Sequence, residues 1–215
     1  MIVKMYMSRD VQTVTPQARM SEAIVKMKRH KIRRLIVVND SDNVVGVVCH
    51  RDIALHFPSD SNPFSVSGLD TLKEDKEIAD LISNRVISIE QDRPIEEAAK
   101  KMSIHRIGGL PVVHRDKLVG VITESDIFRV FTELLSRNEQ TARVTFDLEK
   151  KENIWPILID SAQKYDLNLL SFLRYKFNDR LYGVAQIYGD SEEKIGQFVE
   201  ALWLSGYSVE NVVRG

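Results

Sequence analysis

The chain has 215 residues, with 30 Lys and Arg against 31 Asp and Glu, five His, one Cys and a net charge of −1. Balanced charge argues against holding duplex nucleic acid by phosphate neutralisation, which needs a basic surplus. A single Cys excludes an intramolecular disulfide and a Cys-rich zinc site, and fits a reducing compartment.

Hydrophobic residues make up 43% and charged residues 28%, as in folded proteins. The longest apolar runs, 35–38 and 44–49, fall far short of the roughly 20 residues of a membrane span. Residues 1–10 carry Lys4, Arg9 and Asp10 where a signal peptide needs an apolar core. A cytoplasmic protein with neither membrane nor nucleic acid as partner is expected.

In chain order, residues 13–16 read as a short extended piece. Residues 18–30 carry Met20, Ala23, Ile24 and Met27 at helical spacing. Residues 35–38 form a short β-branched run, 39–43 a polar turn and 44–49 a hairpin partner. A second helix starts near Arg51. Residues 57–75, with Pro58, Pro63, Gly68 and many Ser, read as an exposed loop that leads into a short helix over 72–82.

The same order then recurs. Sliding 11–38 by 75 positions places Glu22 on Glu97, Lys26 on Lys101, Met27 on Met102, His30 on His105 and Leu35 on Leu110. A turn one residue shorter resets the offset to 74, where Val45-Gly46-Val47 falls on Val119-Gly120-Val121 and Asp52 on Asp126. Pro94 suits the first position of a helix, and Glu96-Glu97 its positive end. Each copy is strand–helix–strand–strand–helix, and at roughly 50–55 residues neither buries a sizeable core alone. Two copies packed face to face do.

The tail reads differently. Residues 138–141 form a polar linker. A strand follows over 143–148, a helix over 154–165, two strands over 168–177 and 181–188, a helix over 191–204 capped by Ser191, and a last strand over 207–213. The order βαββαβ fits a ferredoxin-like sheet. Trp155, Phe172, Phe198 and Trp203 read as core or interface anchors rather than a stacking platform for bases.

The segments HKIRRLIVVND…VVGVVCHRDIA and HRIGGLPVVHRDKLVGVITESDIF resemble the paired cystathionine-β-synthase (CBS) motifs of a Bateman module. The resemblance covers about residues 1–135. The tail is similar, by pattern alone, to an ACT-type domain. Its first strand–helix turn, 149–153, lacks the glycine often found where such a domain holds an amino acid. The whole layout is similar to the AcuB family of acetoin utilisation.

The expected fold class is therefore α/β (α+β): CBS motif 1 over 1–56, a connecting loop and helix over 57–80, CBS motif 2 over 81–137 and an ACT-like ferredoxin domain over 142–215. The resemblance implies a regulatory protein that binds an adenosine-containing ligand (AMP, ADP, ATP or S-adenosylmethionine), assembles as a homodimer and is read by a regulated partner enzyme in acetoin or acetate metabolism.

The residues allow that carry-over. Thr123 and Asp126 stand three apart where a strand runs into a helix. The carboxylate suits ribose hydroxyls, and the hydroxyl with the helix's free N–H groups suits a phosphate. The same pair without a ligand is a capping box. Copy 1 keeps Asp52 but has Cys49 in place of the hydroxyl, which weakens a second site there; Cys49 itself reads as a packed core thiol. Arg33-Arg34, matched by Gly108-Gly109, offers forked donors to a phosphate; the alternative is a solvated basic turn continuing the charge run 26–34. The adenine would lie near Thr13 or Ile87. His30 and His105 read as helix-end residues.

No P-loop, zinc-protease motif or clustered acid–base pair occurs, so no catalysis, metal or required cofactor is expected. Ligand sensing is the favoured function; a constitutive assembly protein with empty CBS sites is the alternative.

Overall fold

The computed structural model describes residues 1–57, 64, 74–82, 86–135, 140–148 and 153–215. The expected loop at 58–63 and 65–73, residues 138–139 of the 138–141 linker and the turn at 149–152 lie outside them. The chain divides into two compact units, Met1–Leu134 and Leu135–Gly215.

The first unit holds both repeats. Copy 1 is β1 (Thr13–Val14), α1 (Met20–His30), β2 (Arg34–Val38), β3 (Val44–Cys49) and α2 (His50–Ala54); copy 2 is β4 (Ile89–Glu90), α3 (Ile95–His105), β5 (Gly109–His114), β6 (Lys117–Thr123) and α4 (Glu124–Leu135). Each copy makes a three-stranded sheet, β1-β2-β3 or β4-β5-β6, with the first pair parallel and the second antiparallel. Both hairpins slip register at the same place, after Val37 in one and Val112 in the other.

Residue pairs matched in sequence do matched work. Lys26 Nζ donates to Thr13 O at 2.6 Å, and Lys101 Nζ to Ser88 O at 2.9 Å, so each ties its helix to the leading strand. His30 and His105 close helices that end on left-handed Lys31 and Arg106, both at φ 54°. Pro94 stands as the N-cap of α3, one residue before its expected place.

The segments that precede the two copies are exchanged. Residues 1–9, with a 3₁₀ turn at Val3–Met5, lie on copy 2: Val3 N donates to Arg93 O at 2.9 Å, Ser8 and Val121 exchange both backbone hydrogen bonds, and Val3 and Met7 join the core of Leu110, Val112 and Ile122. Residues 74–82, with a 3₁₀ turn at Ile78–Asp80, lie on copy 1: Ile78 N donates to Ala18 O at 2.9 Å, and Ile78 joins the core of Met20, Leu35, Val37 and Val48. Asp75 caps α1, accepting from Ser21 N at 2.9 Å and Ser21 Oγ at 2.6 Å.

The repeat therefore extends back to Val3 and Ile78. Among the described residues of the expected helix over 72–82, only this short turn is helical, because its apolar side chains cap the neighbouring copy's sheet instead of forming a helical face. Gly46 and Gly120 make room for the exchange, since a Cβ on either would stand 2.6 Å from Ile82 Cδ1 or Met7 Sδ.

In the second unit, β7 (Thr141–Asp147), α5 (Trp155–Lys164), β8 (Asn168–Phe177), β9 (Arg180–Tyr188), α6 (Glu192–Leu204) and β10 (Val209–Arg214) form an antiparallel sheet in the order β10-β7-β9-β8. This is the ferredoxin-like arrangement. Asn178 and Asp179, both at positive φ, make the two-residue hairpin turn. Ser191 Oγ accepts from Lys194 N at 3.2 Å as the cap of α6. Phe146, Leu158 and Phe198 fill the core, whereas Trp155 is 50% and Trp203 68% exposed. No helix of the described residues is long and apolar enough to cross a membrane.

Ile78 is fully buried in the core of copy 1, so Ile78→Ala is expected to destabilise the first unit by about 2–5 kcal/mol. Hydrogen exchange should quicken at the amides of β2 and β3. Faster exchange confined to copy 2 would contradict the exchanged packing.

Candidate functional site

A cleft of about 580 Å³ opens between the two copies, within the size range of small-molecule sites. One wall is Asp10, Val11 and Gln12, which lead into β1, with Lys31, Ile32, Arg33, Arg34 and Ile36 around the start of β2. The other is Gly108, Val121, Thr123, Glu124 and Ser125, where β6 runs into α4. Each wall comes from a different repeat, so the cleft exists only because the copies face one another.

The cap of α4 fixes the second wall. Asp126 Oδ2 accepts from Thr123 N at 2.8 Å and from Thr123 Oγ1 at 2.7 Å. Arg129 Nη2 donates to Asp126 Oδ1 at 3.1 Å and to Tyr6 O at 2.9 Å, which ties α4 to the exchanged N-terminal segment. Three of the carboxylate's roughly four acceptor positions are used. Thr123 thus reaches the cleft already oriented, with the carboxylate behind it.

The basic wall is electrostatically open. Among the described residues, Lys31, Arg33 and Arg34 enter no salt bridge, while Asp10 and Glu124 supply the acidic groups of the lining. The charge run 26–34 divides by role: Lys26 braces β1, Arg29 and His30 lie on the outer side of α1, and Lys31, Arg33 and Arg34 turn into the cleft. Arg34 is half-buried, whereas Lys31 and Arg33 are exposed.

Of the seven candidates from sequence, Arg33, Arg34 and Thr123 line this cleft, and Asp126 adjoins it through Thr123. Thr13 lies one residue beyond the lining, paired with Ile36 in β1. Ile87 and Asp52 are the repeat mates of Gln12 and Asp126 and do not line it. The sequence reasoning missed Asp10, Val11, Gln12, Lys31, Glu124 and Ser125. Their signal was position alone, beside residues already singled out.

In copy 1, Asp52 Oδ2 accepts from Cys49 N at 2.7 Å, the same cap without the hydroxyl. Burial pushes the Cys49 thiol above its ordinary pKa and its hydrogen bond with Asp52 adds to the rise, which keeps it protonated and a poor nucleophile. Next to it, His50 replaces Glu124 of copy 2. Its ring stacks on Phe64 at 3.6 Å between centroids, and its Nε2 is buried with no hydrogen-bond partner among the described residues. Burial holds this imidazole below its ordinary pKa of 6.5; a hydrogen bond to the Ile32 backbone opposes the shift and the Arg33 charge adds to it.

The comparisons with known proteins bear on the first unit. The family model described as CBS domain matches residues 3–59 and 78–133, starting each time at the exchanged segment. An uncharacterised protein of Methanopyrus kandleri is 33% identical over 135 residues, 61% of this chain and 63% of that protein, so the match spans less than two thirds of the relative's length. YlbB of Bacillus subtilis, also uncharacterised, is 30% identical over 65% of this chain and 82% of its own. Among solved structures, the CBS domain pair of a protein in complex with 5′-methylthioadenosine and S-adenosyl-L-methionine matches at TM-score 0.52 and 28% identity, over 62% of this chain and 97% of that one. A Vibrio cholerae protein assigned to acetoin utilization (AcuB) matches at TM-score 0.51 and 27% identity, over 63% and 93%.

The folded chain favours neutral His50, so the unfolded chain takes up more protons as pH falls through 6.5, and the first unit loses stability there. Melting temperature should fall more steeply for wild type than for His50→Gln between about pH 7.5 and about pH 5.5. Equal slopes would contradict the burial of the His50 Nε2 edge.

Proposed function

The chain belongs to the CBS-domain family, and from that premise we propose that it is a regulatory protein that senses an adenine nucleotide or related adenosyl ligand in the cleft between its two copies. The single observation that carries this reading is the convergence of three cations, without salt bridges among the described residues, and a capped helix start on one cleft of nucleoside size. Arg33 and Arg34 take the phosphate, Thr123 joins them by turning its hydroxyl proton from Asp126 to a phosphate oxygen, Asp126 takes the ribose, and the adenine lies along residues 10–13. Asp52 and Ile87 belong to a second, weaker site. The solved complex with methylthioadenosine and S-adenosyl-L-methionine supports the ligand class.

Regulation follows if the ligand binds two arrangements of the copies with different affinity. The tail, which we take to be ACT-type on its βαββαβ order, or a partner enzyme reads the change. The likeness to the Vibrio cholerae protein favours acetoin or acetate metabolism as the setting. Leu55 on the residue after α2 is 77% exposed, and Phe128 and Phe131 on α4 are 69% and 57% exposed, which supports a homodimer. The protein performs no catalysis on this reading.

Calorimetry with AMP, ADP, ATP and S-adenosylmethionine tests it. At least one is expected to bind below about millimolar, and Asp126→Ala should weaken it by about tenfold or more. Excess ligand at about 100 times Kd should raise stability by about 2.7 kcal/mol. No binding by any of the four would leave constitutive assembly as the function; unchanged binding by Asp126→Ala would move the site.

A further inference from the structure

The two repeats differ most at one pair of positions. The repeat operation carries Arg33-Arg34 onto Gly108-Gly109. In the folded unit these matched positions meet. A Cβ on Gly109 would collide with Arg34 Nη1, and one on Gly108 would stand 3.0 Å from Arg34 Nη2 and 3.1 Å from Glu124 Oε2. The Arg34 guanidinium from copy 1 therefore lies against bare backbone of copy 2, in space that any side chain there would fill. Neither glycine has positive φ, so conformational freedom does not require them; the required feature is the missing Cβ.

Arginine at both matched positions would bring two guanidinium groups to one place. Glycine in copy 2 resolves that conflict by turning a symmetric clash into a knob and its seat. The seated guanidinium forms no salt bridge among the described residues, although Glu124 Oε2 borders the same space over Gly108. It is half-buried and lines the cleft. A cation held there before the ligand arrives loses little rotamer freedom on binding an anion.

We propose that Gly108-Gly109 is the seat that presents Arg34 to the ligand, and that this seat makes the cleft selective for phosphate-bearing over uncharged adenosyl ligands. The inference rests on the adenosyl reading above and adds to it the residues that set ligand charge. It also makes the module one-sided. The matched cleft beside Asp52 has Gly108-Gly109 where this one has Arg33-Arg34, so one phosphorylated nucleotide per chain is the expected stoichiometry.

The test compares AMP with 5′-methylthioadenosine, which lacks the phosphate, by calorimetry on the full chain. Wild type should prefer AMP by about tenfold or more, the worth of a charge-assisted hydrogen bond. Gly109→Ala displaces the guanidinium, and should lower the AMP-to-methylthioadenosine affinity ratio about as much as Arg34→Gln does. The double variant should lose no more than either single one, since both remove the same interaction. The nearest obstacle to the new methyl is the far end of a flexible side chain, so Gly109→Ala is expected to fold. A Gly109 methyl also stands 3.1 Å from the Ile122 carbonyl oxygen, so should the variant's melting profile show otherwise, Gly108→Ala, whose methyl meets only side-chain atoms of Arg34 and Glu124, takes its place. A wild-type ratio near one, or a ratio untouched by the glycine substitution, would overturn the inference while leaving adenosyl binding intact. Binding of neither ligand would overturn this inference, and the adenosyl reading falls with it only if ADP, ATP and S-adenosylmethionine fail to bind as well.

Discussion

The first unit depends on an exchange. Each copy's sheet is covered by the segment that precedes the other copy, through Val3 and Met7 on one side and Ile78 and Ile82 on the other. A copy of roughly 50–55 residues is too small to bury a stable core by itself. Here each copy also lacks part of its own apolar cover, so the two fold as one body. The exchanged backbone bonds follow the same rule twice: Met20 N to Lys76 O in one copy, Ile95 N to Met1 O in the other. Where packing follows the repeat, it makes the unit nearly symmetric.

That symmetry fails at the cleft: Thr123, Glu124 and Arg34, which line it, have Cys49, His50 and Gly109 as their repeat mates, and these do not. The cap geometry survives in both copies, because a carboxylate three residues after the strand end serves the helix with or without a ligand. The hydroxyl and the cations survive in one. The capping and binding readings of Thr123 and Asp126 compete for one proton: the cap gives the Thr123 hydroxyl hydrogen to Asp126, and a phosphate on the proposed reading takes it from there.

Much of the architecture was legible in the sequence because the repeat is itself a sequence signal, and because helix caps, the Asn178-Asp179 turn and the β-branched strands are local. The exchange was not. Residues 74–82 look like a helix leading into copy 2, and no local pattern says that Ile78 serves the preceding copy's core. The cleft lining was half legible. Thr123, Arg33 and Arg34 announce themselves by chemistry, but Gln12 and Ser125 have ordinary side chains placed by tertiary packing. Thr13 lies one residue beyond the lining, although its strand partner Ile36 lines the cleft. Nothing in the Gly108-Gly109 pair itself says that the structure puts an arginine from the other copy against it.

The central claim is that a nucleotide occupies the cleft shared by the two copies, on the side where hydroxyl and cations survive. A crystal structure of the chain grown with AMP tests it most directly. The account predicts one nucleotide between residues 10–12 and 123–125, its phosphate against Arg33 and Arg34 and its ribose toward Asp126. A nucleotide found only beside Asp52 and Cys49, or lying on one copy alone without touching the other, would contradict it.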